Sequence, residues 1–395
     1  MPRRKSPTIL ELGAACALAV IALSNFASAQ AKFVVLYNFE GSPDAGAPVS
    51  GVTLGPNNTL LGTAGGGSGC NGGCGTVYKL TRQSNGKWVE TVIHNFDQFV
   101  GAQGGLVRDP ANNFYGSEIT GDLLFEITAK GGWNEYPLPL GGSGSTLLMD
   151  KAGNMFETAG DIFEISPSSG SWAQRGIFRF HPQSGVDGTD GWAPVGSLIT
   201  DGHGNLYGAT EFGGNYSLCS GSAGCGTVFK LTPNQDETWT EHVLHRFAQF
   251  NYDGQLPLAG VVMDVNGNIY GTTLQGGKYQ VGTVFRISRG ADGKWHETIL
   301  HNFTSSQGAV LPSTSLTLDR SGNLYGVCAG RIGGAVFELS PESRGKWTFR
   351  VLHEFSGTDG YLPQSGLTLD IAGNLYGTTQ FGGKNNQGVV YEVIP

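Results

Sequence analysis

Beyond its first thirty residues the chain shows no helical periodicity, no linker, no run of like charge and no sign of a second domain. It contains no His-Glu-x-x-His, no Gly-x-Ser-x-Gly and no close pair of carboxylates recurring at one place, so the common catalytic signatures are missing. Gly67-Ser68-Gly69-Cys70-Asn71-Gly72 fits Gly-x-Gly-x-x-Gly, but no helix follows and no βαβ unit surrounds it, which makes it a chance match. Basic residues are the minority, 24 against 32 acidic, for a formal charge of −8. Such a field disfavours nucleic acid and anionic membranes as partners.

What the chain has in excess is glycine, 64 of 395 residues, and a repeat. A stretch close to Leu-x-Leu-Asp-x-x-Gly-Asn-Leu-Tyr-Gly-Thr-Thr returns seven times. Its aromatic or apolar residue falls at Leu61, Tyr115, Phe156, Tyr207, Tyr270, Tyr325 and Tyr376. The mean period is about 52 residues, and the following Gly-Thr-Val-Phe-Lys-Leu element gives the same count of seven. Each period reads as four short strands. Residues 316–319 alternate, turn at Arg320-Ser321-Gly322-Asn323, return as Leu324-Tyr325-Gly326, cross a glycine-rich loop and continue as a β-branched run. A fourth strand begins at a tryptophan and ends in Leu-His-x-Phe. Four-stranded units repeated radially predict an all-β, seven-bladed β-propeller, because no single blade buries both of its faces.

The last repeat stops after its third strand, at Val393-Ile394-Pro395, and the missing fourth strand stands at the other end as residues 33–39. An N-terminal strand completing the last blade closes the ring and removes two sheet edges. Residues 30–395 are therefore expected to form one domain and to act as a monomer. Residues 1–29 read as a secretory signal peptide: Arg3, Arg4 and Lys5 precede an apolar run over 12–23, too short to span a membrane, and Ala27-Ser28-Ala29 supplies the cleavage site. Removal leaves a charge of about −10 on a secreted or cell-envelope protein. In that oxidising setting Cys70 with Cys74, and Cys219 with Cys225, are expected to form two local disulfides, and Cys328 a buried free thiol.

The repeat separates scaffold from function, since a residue recurring in every blade lies on a circle around the axis. His94, His245, His301 and His353 share one position on the outermost strand, where Tyr37, Pro139 and Phe178 stand in other blades. They are read as structural. So are Trp88, Trp133, Trp172, Trp239, Trp295 and Trp347, which all begin fourth strands. The Asp-x-x-Gly-Asn turns, such as that at Asp264, lack the further carboxylates of an EF-hand and read as self-capped turns.

Connections after the second and fourth strands share one face and are long and variable, as over 63–75, 180–194, 210–226 and 247–257. Variable loops on a rigid scaffold are where ligands are usually held. There Asp44, Asp190, Asp253 and Asp359 precede a proline at matching points, near Trp192, Tyr252, Tyr361, Phe212 and Phe381. Aromatics beside carboxylates suit a sugar ring or a peptide, so Trp192, Asp190, Asp253, Tyr361, Asp359 and Phe212 form the candidate ligand set, headed by the one tryptophan off the fourth-strand column. Glu118, Glu157 and Glu211 depart from the repeat near second strands. Were they to reach the axial channel, they would offer ligands for a divalent cation such as calcium, as in lactonase-type propellers.

Gly204-Asn205-Leu206-Tyr207-Gly208-Ala209-Thr210, Gly213-Gly214, Gly226-Thr227-Val228-Phe229 and Val243-Leu244-His245-x-Phe247 together resemble the GloVer tandem repeat of choice-of-anchor bacterial surface proteins. The resemblance covers nearly all of the chain after residue 29. It is eroded in repeats two and three, where Gly141-Gly142 and Phe156-Glu157 depart from it. It implies export and often a C-terminal sorting signal, of which none follows Pro395, and it supplies no catalytic residues. The expected function is non-enzymatic binding of a carbohydrate or protein ligand on the variable-loop face, without a cofactor. The alternatives are a metal-dependent hydrolase or lyase working at the axial channel and a purely structural envelope component.

Overall fold

A computed structural model describes residues 30–66, 75–96, 104–118, 123–138, 147–180, 191–214, 219, 224–248, 252–305, 311–312, 314–330 and 333–395. The ring predicted from the repeat is present: seven four-stranded antiparallel sheets, each formed by strands consecutive in sequence except the fifth, where the short strand Gln275–Gly276 intervenes and pairs elsewhere, and the last. In that last blade, strand Lys32–Asn38 pairs with Val389–Ile394, from Lys32 opposite Ile394 to Asn38 opposite Val389. The Thr368 and Thr378 hydroxyls then donate to the Val52 and Ser50 carbonyls, tying the seventh blade to the first. Among the described residues no helix is long and apolar enough to cross a membrane.

The core is distributed rather than central. Seven hydrophobic clusters occupy the seven junctions between adjacent blades, as where Val228 and Phe247 of blade 4 meet Val261, Phe285 and Ile287 of blade 5. Each cluster needs both blades to exclude water, which is why the repeat folds only as a ring.

The turns between first and second strands are held as the sequence predicts. Asp264 Oδ1 accepts from the Asn266 and Asn268 backbone N–H groups, and Oδ2 accepts from Asn268 Nδ2 and the Tyr270 hydroxyl. The same set recurs at Asp319 and Asp370. Partial burial pushes the Asp264 carboxyl up, but these bonds outweigh it and hold the group below its ordinary range. Every oxygen is used internally, so the motif is a turn and not a cation loop.

Candidate functional site

The variable-loop face is built on a repeated backbone. Where Asp-Gly-x-Leu-Pro or its variants enter a first strand, the residue before proline has a left-handed φ in five blades: Ala47 49°, Ala193 56°, Leu256 56°, Leu311 60° and Leu362 60°. This kink presents residue x beside the end of the second strand, with Trp192 opposite Phe212, Gln255 opposite Gln275 and Tyr361 opposite Phe381. Gly46 holds the same position in the first blade. Trp192, the one tryptophan outside the fourth-strand column, therefore occupies a recurring backbone site at which only the side chain changes.

At this position the aromatic candidates are brought together in pairs. The Trp192 and Phe212 ring centroids lie 4.6 Å apart, tilted by 32°. Trp192 is half-buried against the core cluster that contains Phe180 and Phe229, and its indole N–H is buried with no acceptor among the described residues. Only its ring is available to a ligand. Tyr361 and Phe381 stand 41% and 38% exposed.

The aspartates have other partners. Asp359 accepts from the Ser356 N–H and hydroxyl at 2.8 and 2.9 Å and lies 2.9 Å from His353 Nε2. Burial alone pushes its carboxyl up, and the Ser356 bonds and the His353 ring bring it below the ordinary range. Asp253 is only 2% exposed and faces His245. Both carboxylates turn inward onto the histidine of the preceding strand. Asp190, with Cys70 and Cys74, lies outside the described residues, whereas Cys219 and Cys225 are joined as a disulfide and Cys328 is a buried free thiol.

The three glutamates are not gathered at the axis. A cavity of about 380 Å³ there is lined by first-strand groups including Ser50, Thr53, Thr314, Ser315, Gln364 and Ser365, and no glutamate is among its lining residues. Glu118 and Glu211 are half-buried at the ends of their second strands. Glu157 is fully buried and fills a slot that is glycine in the other six blades. In those blades the slot holds the ring of a third-strand aromatic: a Cβ on Gly208 would stand 2.6 Å from Phe229 Cζ. Blade 3 compensates on its fourth strand. Gly176 replaces the Val243 or Ile299 of blades 4 and 5, and Phe163 moves out to half-exposure over it.

Glu157 Oε1 accepts from Gln174 Nε2 at 2.9 Å, while Oε2 has no partner among the described residues. Burial, opposed by the Gln174 bond, pushes its carboxyl from 4.5 up to about 7. A carboxyl with a raised pKa holds its proton more tightly when folded, so it favours folding below pH 4.5 and loses that contribution as pH rises to about 7. Glu157→Gln should remove this slope. At pH 8 it should be the more stable protein, by about 3 kcal/mol at most, in urea midpoints measured from pH 4 to 8. Parallel pH profiles for the two proteins would refute the assignment.

A feature that the sequence did not disclose is the partner of each histidine. The column of His94, His245, His301 and His353 meets one residue of the next blade's fourth strand. His94 stacks on Trp133, His301 on Phe349 and His353 on Phe33, with centroids 4.0, 4.1 and 3.5 Å apart and rings 5° from parallel. Where Tyr37 replaces histidine, its hydroxyl donates to Glu90 at 3.0 Å. His245 instead meets Glu297, with Asp253 alongside. Burial first, then the Asp253 charge and a hydrogen bond to Asp253, push the Glu297 carboxyl well above its ordinary range. Aligning columns between successive blades would have revealed this substitution of Glu for an aromatic.

Solved structures of similar fold include other propellers. A streptogramin B lyase structure superposes with TM-score 0.56 at 11% identity, covering 92% of this chain and 97% of that one. Virginiamycin B lyase from Staphylococcus aureus gives 0.56 at 13% over 93% and 99%. An ancestral GH74 enzyme gives 0.51 at 10% over 89% and 51%. At these identities the likeness shows the fold alone. No curated protein matches in sequence. The model of the Gloeobacter/Verrucomicrobia repeat matches residues 217–395, the stretch in which the repeat motifs are best kept. This chain is thus a seven-bladed propeller whose residues 217–395 match the Gloeobacter/Verrucomicrobia repeat.

Proposed function

We propose that the protein is an exported, non-catalytic binding propeller that holds a carbohydrate on its variable-loop face, with a polypeptide as the second ligand class. The observation that carries this reading is where apolar surface is exposed. Of the nine large hydrophobic side chains exposed among the described residues, Tyr252, Tyr279, Leu311, Tyr361 and Phe381 all belong to the connections of this one face. Aromatic rings, mostly tyrosine, that keep an apolar body at the surface are costly unless a ligand covers them. The residue-x position supports the same reading, because Gly46, Trp192, Gln255 and Tyr361 vary on a constant backbone. The Cys219–Cys225 disulfide fits an oxidising compartment.

The test is an array of glycans and peptides probed with residues 30–395 and with Trp192→Ala and Tyr361→Ala. Each substitution should weaken capture of the bound class at least about tenfold, as expected for an aromatic anchor; Tyr361→Ala, at an exposed site, should do so with stability within about 1 kcal/mol of wild type, whereas Trp192→Ala also gives up packing and is assayed where it remains folded. A blank array for the unmodified protein, or unchanged capture by both variants, would remove the proposal.

A further inference from the structure

The junction between blades 4 and 5 departs from the rest of the ring. His245 lies on strand Trp239–Arg246, Asp253 in the connection that follows, and Glu297 on strand Trp295–Asn302 of the next blade. Their side chains are 7%, 0% and 1% exposed. His245 Nε2 stands 3.5 Å from Asp253 Oδ1 and 3.8 Å from Glu297 Oε2, and one ligand atom from each residue lies within 4.8 Å of the others.

These separations exceed the 2.7 to 3.2 Å of an ordinary hydrogen bond by roughly half an ångström. The shorter equals, and the longer exceeds by a few tenths of an ångström, the ~3.3–3.5 Å between ligand atoms around a four-coordinate zinc ion with bonds of ~2.0–2.1 Å. Neither carboxylate oxygen of Glu297 accepts from an N–H or hydroxyl donor among the described residues; its hydrogen bond is to the Asp253 carboxyl, through a proton that a dication would displace. The equivalent Glu90 shows that this column does not by itself make a ligand: there Tyr37 Oη donates at 3.0 Å and the Ala45 N–H at 3.2 Å, and the carboxyl is satisfied. At Glu297 the column combines a buried carboxylate with a second carboxylate and an imidazole, a set whose charge a dication balances.

We propose that His245, Asp253 and Glu297 form a metal site of the zinc class that ties blade 4 to blade 5. It is independent of the ligand reading, because it lies within a blade junction and not among the exposed rings. The bound ion takes the place that a flat aromatic ring holds at the His301–Phe349 junction.

The test uses residues 30–395 stripped with EDTA, titrated with Zn²⁺ by calorimetry and with Co²⁺ by visible absorption. Wild type should bind one equivalent, give the intense d–d bands of tetrahedral cobalt and melt at a higher temperature with zinc. Glu297→Phe should fold, because it recreates the histidine–phenylalanine stack of the next junction, and should lose that equivalent, the bands and the zinc-dependent rise in melting temperature. Glu297→Gln should lose the same signals with the side-chain volume kept. Absence of binding by wild type, or an unchanged equivalent in a folded Glu297→Phe, would overturn the site; in the first case the cluster is held together by a shared proton.

Discussion

Deleting residues 30–38 should open the ring and cost more stability than any single substitution in the protein. The segment supplies the whole outer strand of the seventh blade, so its removal bares the edge of Val389–Ile394. It also takes away Phe33, which stacks on His353 and packs beside Phe355 and Tyr391, and the Tyr37 hydroxyl that satisfies Glu90. Several half-buried apolar side chains leave with it, each worth about 1.5–3 kcal/mol when fully buried. The truncated chain should unfold at a much lower urea concentration and associate through its exposed strand edge. A synthetic peptide of residues 30–40 added in trans should restore part of the midpoint. Equal midpoints for truncated and intact chains would show that the ring does not depend on this closure.

The second large effect is expected where second and third strands meet. Gly271 has an ordinary φ, so its backbone does not require glycine; the Phe285 ring does, because a Cβ at Gly271 would stand 2.5 Å from its Cζ. Phe285 is fully buried against Phe247 and Ile287. Phe285→Ala should cost about 3–5 kcal/mol through the cavity it leaves, and Gly271→Ala about 1–3 kcal/mol through overpacking. The double variant should cost less than the sum, since the added methyl then enters the space the ring vacates. Urea titrations of all four proteins check this, and strict additivity would contradict the slot. Blade 3 already carries a natural version of the exchange, with Glu157 in the slot, Gly176 opposite Phe163 and the Phe163 ring displaced outward.

The blade count, the strand order and the closure were legible because they rest on periodicity, and a period of four strands admits one way of burying both faces. The self-capped turns were legible for a similar reason: Asp264, Asn268 and Tyr270 lie within seven residues and their bonding is local. Direction was not legible. The sequence placed Asp253 and Asp359 in loops of the variable face, but a turn aspartate points outward or back onto its own strand depending on what waits there. In this ring a histidine waits. Glu157 was marked as a departure from the repeat, yet its meaning depended on Gly176, nineteen residues later on a different strand. Trp192 was singled out among the tryptophans, while the recurrence of its backbone site at Gln255 and Tyr361 required the pairing of each with the second strand.

The left-handed residue before proline has an evolutionary corollary. Because that kink fixes the path of the chain in five blades, a point mutation at residue x alters what the ring displays without altering how the ring is built. Duplicated blades would then diverge by drift at one codon each, and a lineage could change the side chains shown on this face without inserting or deleting a loop.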